Sequence, residues 1–388
     1  MNQTIFEEEL TQLKDQCLYR RLKTLQPAGP VRALWQGRET LLFCGNDYLG
    51  LSRHPRVLQA SKKALERFGT GAGAARLISG TSTLHTALEE KLAKIKKKER
   101  ALVFSAGYLA NLGVLTALAG ADDLIVMDKL CHAALIDGAR LAGARLRVFP
   151  HRNYARCDEI LQQENVPGKK ILVTDTVFSM DGDLADFQEI VRLKKTYGCL
   201  WIADDAHGTG VFGQQGGGAL EDTGLEPAAD VITGTLSKAL GALGGFAAAS
   251  ATLIDYLINK ARPFIFATAL PPVLCAAGLE ALQVVQEEPE LRYALWRNIQ
   301  RMHEFLKAGG WALEPLASPI LPLVVGAEGD ALALSERLLE RGFLVPAIRY
   351  PTVPKGKARL RITLSAAHTP EDIARFTACL AEEKARKG

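Results

Sequence analysis

The chain alternates between short apolar runs and longer stretches in which apolar positions recur every three or four residues. From about residue 44 to 270 the short runs are ALVFS (101–105), LIVMD (124–128), LRVFP (146–150), ILVTDTV (171–177), CLWIADDA (199–206) and DVITGTL (230–236). Runs of this length without polar alternation fit strands covered on both faces. Between them lie segments such as QEIVRLKKTYG (188–198), with helical periodicity and a terminal glycine. Strand and helix in alternation predict an α/β fold with a largely parallel sheet between helices. The first forty residues predict a helix over 6–25 and then a hairpin in ALWQGRETLLF (33–43). After PFIFATALPP (263–272) a helical run over 273–309 leads into a smaller α/β unit, with PILPLVVG, ALALSERLLERG, FLVPAIR, ARLRITL and TPEDIARFTACLAEE as its parts. The expected divisions are an arm at 1–43, a large domain at 44–272, and a linker helix with a small C-terminal α/β domain at 273–388.

Composition narrows the class. With 388 residues, 48% hydrophobic and 23% charged, the chain can bury a large core and reads as a soluble enzyme. Its 47 basic and 43 acidic residues are spread along its length, unlike the concentrated basic field of a nucleic-acid binder. The densest cluster, KIKKKER (94–100), follows the amphipathic LHTALEEKLA and is expected to be a solvated helix end. Seven cysteines, an odd number with no CxxC spacing, suggest neither a disulfide framework nor a zinc site, and no metal is expected. A reducing cytoplasm fits that usage, and the acidic start MNQTIFEEELTQLKDQ lacks the apolar segment of a secretory signal. The uncharged stretch 101–121 is long enough to raise a membrane span, but Ser105, Gly107, Asn111 and Gly113 interrupt it. A buried strand leading into a buried helix is predicted there instead.

Ligands of open α/β sheets bind beyond the carboxyl ends of the strands. Three of those ends are chemically loaded: FSMDGD (178–183), DDAHGTG (204–210) and GTLSK (234–238). Lys238 is the one charge in TGTLSKALGALGG (233–245), a segment of small residues where an ammonium needs either water or a task. A carboxylate ending a buried strand, such as Asp204, likewise needs a cation. A protonated pyridine ring is such a cation. Pyridoxal phosphate calls for a lysine, an acid facing its ring nitrogen and a phosphate cradle, and SAGYLAN (105–111), at a strand-to-helix turn, offers the cradle. A desolvated setting would favour the neutral amine that imine exchange requires of Lys238. The literal GxGxxG at 208–213, GTGVFG, competes with this reading. It is followed by the loop-like QQGGGALED where a dinucleotide fingerprint needs a helix, so the nucleotide reading is set aside.

A longer set of ordered motifs covers nearly the whole chain: NDYLGL (46–51), RLISGTSTLHTALEE (76–90), SAGYLAN, DKLCHAAL (128–135), VFSMDGD, DDAHGTGVFG, TLSKALGALGG and PTVPKGKARLRITLSAAHT (351–369). In these the chain resembles the α-oxoamine synthases, pyridoxal-phosphate enzymes of the aspartate aminotransferase fold type I. The resemblance implies a large domain with a mostly parallel seven-stranded sheet and a smaller C-terminal domain. It implies that Lys238 forms the cofactor's internal aldimine, Asp204 pairs with the pyridine nitrogen, His207 bonds the phenolic oxygen and His132 stacks on the opposite ring face. Gly107, Tyr108 and Ser179 would sit at the cofactor, and Thr235 would reach the phosphate. Asn46, Thr352, Arg361 and His132 would line the substrate side, Arg361 offering its planar fork to a carboxylate. Arg20 matches a substrate-contacting arginine, with Arg21 beside it as the alternative register.

The implied reaction is condensation of an amino acid with an acyl thioester in a homodimer. NDYLGL and RLRITLSAAHT favour L-alanine with a pimeloyl thioester, carried on coenzyme A or an acyl carrier protein. Sister enzymes that use glycine are the alternative. A non-catalytic cofactor-binding sensor is another, although the chain leaves no length for a DNA-binding module. Singly, several of these residues have plainer readings. His132 could be a core histidine, Ser179 and Thr235 turn caps, Arg361 a solvent-facing strand position and Tyr108 a packing residue; His85 is read as packing. The chain departs from the family pattern at Asp175-Thr176, where Glu-Gly is frequent, and at Cys44-Gly45 in place of a serine pair. Neither pair is expected to touch a residue assigned to bond making.

Overall fold

Each of the six apolar runs forms a strand in the structure, a computed structural model that describes residues 3–311 and 315–386. In chain order the sheet strands are β1 (Arg100–Phe104), β2 (Leu124–Asp128), β3 (Arg145–Phe149), β4 (Lys170–Asp175), β5 (Leu200–Asp204), β6 (Val231–Thr235) and β7 (Gly245–Ala249). Their order across the sheet is β1-β7-β6-β5-β4-β2-β3. Only β7 runs against its neighbours, so the other six strands end on one edge. The seventh strand, GFAAA, carries no apolar-run signal because alanine and glycine are poor strand formers. Tertiary fit decides it: a Cβ on Gly234 of β6 would lie 2.4 Å from the Phe246 ring of β7. The predicted strand and helix of 101–121 are β1 and the helix Gly107–Leu118. A Cβ on Gly113 would lie 2.9 Å from the Phe104 ring, so glycine lets that helix lie close over the strand. Among the described residues no helix is long and apolar enough to cross a membrane.

Two compact units are present. One comprises residues 49–179 and 184–292 and contains the seven-stranded sheet; the other comprises 1–48, 180–183 and 293–388. The arm at 1–43 therefore groups with the C-terminal segment, and the helical run over 273–309 is divided. It consists of Pro272–Glu287 and Glu290–Ala308, because Pro289 disfavours helical backbone at Glu288, which is found at φ −120° and ψ 64°. The first of these helices belongs wholly with the sheet, and the second groups with the other unit from Tyr293 onward.

In the other unit the N-terminal helix spans Thr4–Asp15 and stops ten residues short of the expected end at 25. None of its residues is buried, so no packed face sustains it, and Cys17 turns the chain with φ 56°. The predicted hairpin pairs Arg32–Trp35 with Arg38–Leu42. Its Gln36-Gly37 turn has positive φ at both residues, 49° and 77°, as a two-residue type I′ turn requires. The strands Ile320–Gly326, Ala358–Thr363 and Ala347–Ile348 make a three-stranded sheet with the middle one in the centre.

Two buried histidines brace these units. His368 stacks on Phe43 at 4.3 Å between ring centroids, its Nδ1 accepts from the Ser365 N–H at 3.0 Å, and its Nε2 meets the Leu42 carbonyl at 3.1 Å. That pattern fits the neutral ring alone, with the proton on Nε2. His85, read as a packing residue, is fully buried at the start of the helix Thr83–Ile95 and completes a capping box with Ser82. Burial lowers both histidines from 6.5 to about 4. Between those values the unfolded chain binds more protons, so this stability is complete above pH 6.5 and is lost as pH falls toward 4. Stability measured by denaturant titration should decline across that window by roughly 1.4 kcal/mol per pH unit for each histidine at its steepest. A flat profile between pH 6.5 and 4.5 would contradict the assignment.

Candidate active site

Register in the sheet sets the chemistry. Asp175 of β4 lies beside Asp204 of β5, and Asp204 lies beside Thr233 of β6. Residues paired this way in a parallel sheet point to one face, so two carboxylates and a hydroxyl meet at the strand ends. Asp204 is only 4% exposed. The Asn111 Nδ2 donates to its Oδ2 at 2.6 Å and the Ala206 N–H to its Oδ1 at 2.9 Å, while the Thr233 hydroxyl donates to Asn111 Oδ1 at 2.6 Å. The carboxylate is thus fixed in rotation by a chain of donors that begins on the neighbouring strand.

Around it the segments that follow four strands converge on a cavity of about 260 Å³. Gly107 and Tyr108 come from the turn after β1, His132 from beyond β2, His207 from beyond β5, and Thr235 and Lys238 from the end of β6. His207 is buried and Lys238 half-buried. His132 caps the helix Ala133–Leu141, its Nδ1 accepting from the Ala134 N–H at 3.2 Å. Burial lowers its pKa and the Lys238 charge acts the same way, against the pull of Asp204, so the ring is neutral at pH 7. The Tyr108 hydroxyl donates to Asp137.

The helix Gly107–Leu118 begins with no side-chain cap, leaving the N–H groups of its first turn without helical partners. A Cβ on Gly107 would sit 3.1 Å from Thr235 Cβ and 3.2 Å from its Oγ1, so the space in front of that helix end exists because residue 107 is glycine. The Thr235 hydroxyl donates to the Gly244 carbonyl at 2.8 Å and lies 2.6 Å from Ser237 Oγ. Such an end, lined by hydroxyls, is suited to an anion.

Of the residues singled out in the sequence, Gly107, Tyr108, His132, Asp204, His207, Thr235 and Lys238 share this cavity. Ser179 is half-buried and stands outside the cavity lining. Asn46 and Arg361 meet within the other unit, where Asn46 Oδ1 accepts from the guanidinium at 3.4 and 3.5 Å and from the Tyr48 hydroxyl at 3.2 Å. Arg361 is buried there, not a solvent-facing strand position. Arg20 and Thr352 line a cavity of about 80 Å³ in that same unit, and Arg21 lies with its guanidinium 5.6 Å from the Tyr19 ring centre.

The structure changes three expectations, for Asp175, for Asn111 with Ser237 and for KIKKKER. Asp175 is no bystander: it lines the cavity and its Oδ2 accepts the His132 N–H at 2.8 Å. Burial and then the Asp204 charge push its carboxyl well above the usual range, opposed by that N–H and by Lys238. Asn111 and Ser237 also line the cavity without having been assigned a role. Asn111 falls one helical turn after Gly107 on the same face, and Asp175 ends a buried strand as Asp204 does, so both signals were present. The GTGVFG segment is filled by its own chain: Asp222 accepts the Gly213 N–H at 2.8 Å and Glu221 accepts those of Gln215 and Gly217 at 2.9 and 2.6 Å. Finally, KIKKKER is not solvated throughout, since Lys96 is fully buried.

Six co-directional strands with one reversed, and a lysine sharing a cavity with carboxylates and imidazoles at their carboxyl ends, are the arrangement of the type I fold of pyridoxal-phosphate enzymes. Residues 38–380 match the family described as aminotransferase class I and II, and the chain belongs to that family. It is 46% identical to an 8-amino-7-oxononanoate synthase of Geobacter metallireducens, covering 97% of each chain. A protein of the same description from Methylococcus capsulatus is 47% identical over 96% of each. Among solved structures, a serine palmitoyltransferase of Sphingomonas wittichii superposes with TM-score 0.92 at 33% identity, over 99% of this chain and 97% of that one. An SPT described with bound PLP gives TM-score 0.93 at 32% identity, over 98% of both. An 8-amino-7-oxononanoate synthase of Francisella tularensis gives 0.78 at 28%, over 90% of this chain and 98% of that one.

Removing Asn111 tests the donor chain without reference to any ligand. Asn111→Ala leaves a buried carboxylate oxygen and the Thr233 hydroxyl without their partner, and should cost about 1–3 kcal/mol of stability in the ligand-free protein. Unchanged denaturation would mean that Asp204 is not held this way.

Proposed function

We propose that this chain is an 8-amino-7-oxononanoate synthase, joining L-alanine and a pimeloyl thioester to give 8-amino-7-oxononanoate, carbon dioxide and a free thiol for biotin biosynthesis. The observation that carries the reading is the single cavity uniting Lys238, Asp204, His132, His207 and an anion cradle, in a chain about half identical to relatives of that name across their length. Pyridoxal phosphate fits this set: the Gly107 space and Thr235 suit its phosphate, Asp204 its ring nitrogen, and Lys238 its aldehyde. When bound, it withdraws electrons from the Cα of an attached amino acid.

The protein's own groups do the rest. Lys238 would hold the cofactor through its aldehyde, and its amine would take the proton from alanine Cα as general base. Asp204, held by Asn111 and the Ala206 N–H, would accept the hydrogen bond of the ring nitrogen and keep it protonated. His207 would hydrogen-bond the phenolic oxygen, and the neutral His132 ring would stack on the cofactor ring. Gly107 and Tyr108 would hold the phosphate through the N–H groups at the helix end, with Thr235, whose hydroxyl is given to the Gly244 carbonyl, bordering the same space, and Ser179 is assigned to the cofactor as well. Arg361, braced by Asn46, is assigned to the amino-acid carboxylate, and Arg20 and Thr352 to the substrate side. The enzyme acts in the cytoplasm as a homodimer, for which the exposed apolar side chains of Leu77, Ile78, Leu243 and Phe266 offer contact surface. The donor arrives on coenzyme A or an acyl carrier protein.

Thiol release by cofactor-loaded protein, with L-alanine, glycine or L-serine against pimeloyl, acetyl, succinyl and palmitoyl thioesters, tests the reading. Alanine with pimeloyl should exceed glycine with pimeloyl by about 10- to 200-fold, the range a single methyl group can supply. Preference for glycine or serine with another acyl group would assign a sister activity. Lys238→Ala should abolish release, and retained turnover would remove the lysine from the mechanism.

A further inference from the structure

Lys96 is the last place a sequence reading would look for a functional lysine, because it sits inside a run of basic residues. Yet its side chain is 1% exposed, and each of its three N–H groups has an acceptor. Asp205 Oδ2 lies at 2.6 Å, Thr209 Oγ1 at 2.7 Å and the Gly217 carbonyl at 2.7 Å, with the Phe246 ring centre 5.5 Å away. An ammonium has three donors and here all three are used. Asp205 is met from its other side by the Thr176 hydroxyl at 2.6 Å and the Ala219 N–H at 3.2 Å. Its own N–H donates to the Thr233 carbonyl at 2.8 Å.

Two glycines of the following loop, Gly208 and Gly218, are explained by this pair. A Cβ on Gly208 would lie 2.0 Å from Asp205 Oδ1, and one on Gly218 would lie 1.7 Å from Asp205 Oδ2 and 3.0 Å from Lys96 Nζ. The loop that opens at Gly208 and closes at Gly218 is therefore held against a buried ammonium–carboxylate pair at both of its ends. That pair ties three places together: the end of the helix Thr83–Ile95, the turn that begins at Asp204 and carries His207, and the far end of the loop at Gly217.

We propose that Lys96 is a positioning residue for the cofactor cavity. It acts through Asp205, fixing the turn on which Asp204 and His207 stand and cancelling the charge of the carboxylate next to Asp204. The inference rests on the function proposed above. Without the ammonium, Asp205 is a buried carboxylate with no cation, and it either gains a proton or shifts the turn, so Asp204 and His207 are no longer presented alike.

The test measures pyridoxal phosphate affinity and the visible circular dichroism of the bound cofactor in Lys96→Met, Asp205→Asn and the double variant, with Lys94→Met as an exposed control. Both single variants should bind about 10- to 100-fold more weakly, the range found when the outer partner of a metal ligand is lost, and should change the dichroism. The double variant should be no worse than the weaker single one, because the two residues act as a unit. Should Lys96→Met not give folded protein, Asp205→Asn, which keeps the shape, carries the same reading. Wild-type affinity and dichroism in a folded but less stable Lys96→Met or Asp205→Asn would make the pair structural only and overturn the proposal. A wild-type protein that fails to bind pyridoxal phosphate would overturn the proposed function, and this inference with it.

Discussion

Asp204 is a carboxylate placed where a carboxylate is costly, at the end of a strand flanked by others and almost wholly withdrawn from water. Its position is tenable because donors reach it from the helix Gly107–Leu118 and from its own turn, and because a cation can approach from the cavity. Most of the site can be traced to that requirement. Asn111 is turned toward Asp204 by Thr233. Strand register places Asp175 alongside, where burial and then the like charge of Asp204 push its carboxyl well above the usual range. Lys96 removes the further charge that Asp205 would otherwise add. The cavity is left with one oriented carboxylate facing a lysine and a neutral imidazole.

The loops that complete the cavity are glycine-rich for reasons of clearance. At Gly241, in the turn after Lys238, φ is 64° and a Cβ would lie 2.2 Å from the Ser52 backbone nitrogen. The lysine is thereby carried on a turn seated against the 51–52 backbone, while its side chain stays half-buried at the cavity. Gly107 plays the complementary part, keeping open the space before a helix end. A small ammonium-bearing loop, an uncapped helix end and one oriented carboxylate line a single cavity, and pyridoxal phosphate has an aldehyde, a phosphate and a ring nitrogen to meet the three.

Much of this was legible in the sequence because it is local. Unbroken apolar runs marked six strands, and the residues that follow them marked Asp204, His207, Thr235 and Lys238. Arrangements that depend on distant residues were not legible. Alanine-rich β7 is a strand because Phe246 packs against Gly234, a fact of pairing and not of propensity. Asp175 looked like a neutral departure until register set it beside Asp204. Lys96 shares its composition with exposed neighbours and differs only in what the 205–217 loop brings to it. The overlong N-terminal helix failed for the converse reason: its periodicity was real, but nothing in the fold covers it.

The central claim is that one lysine, at the end of β6, carries the cofactor that the cavity is built to hold. Borohydride reduction of the pyridoxal-phosphate-loaded protein, followed by proteolysis and mass spectrometry, tests it most directly, because reduction fixes the cofactor to whichever amine holds it. The added mass is expected on the peptide containing Lys238 alone, at close to one per chain. A label spread over surface lysines, or concentrated on any residue other than Lys238, would contradict it.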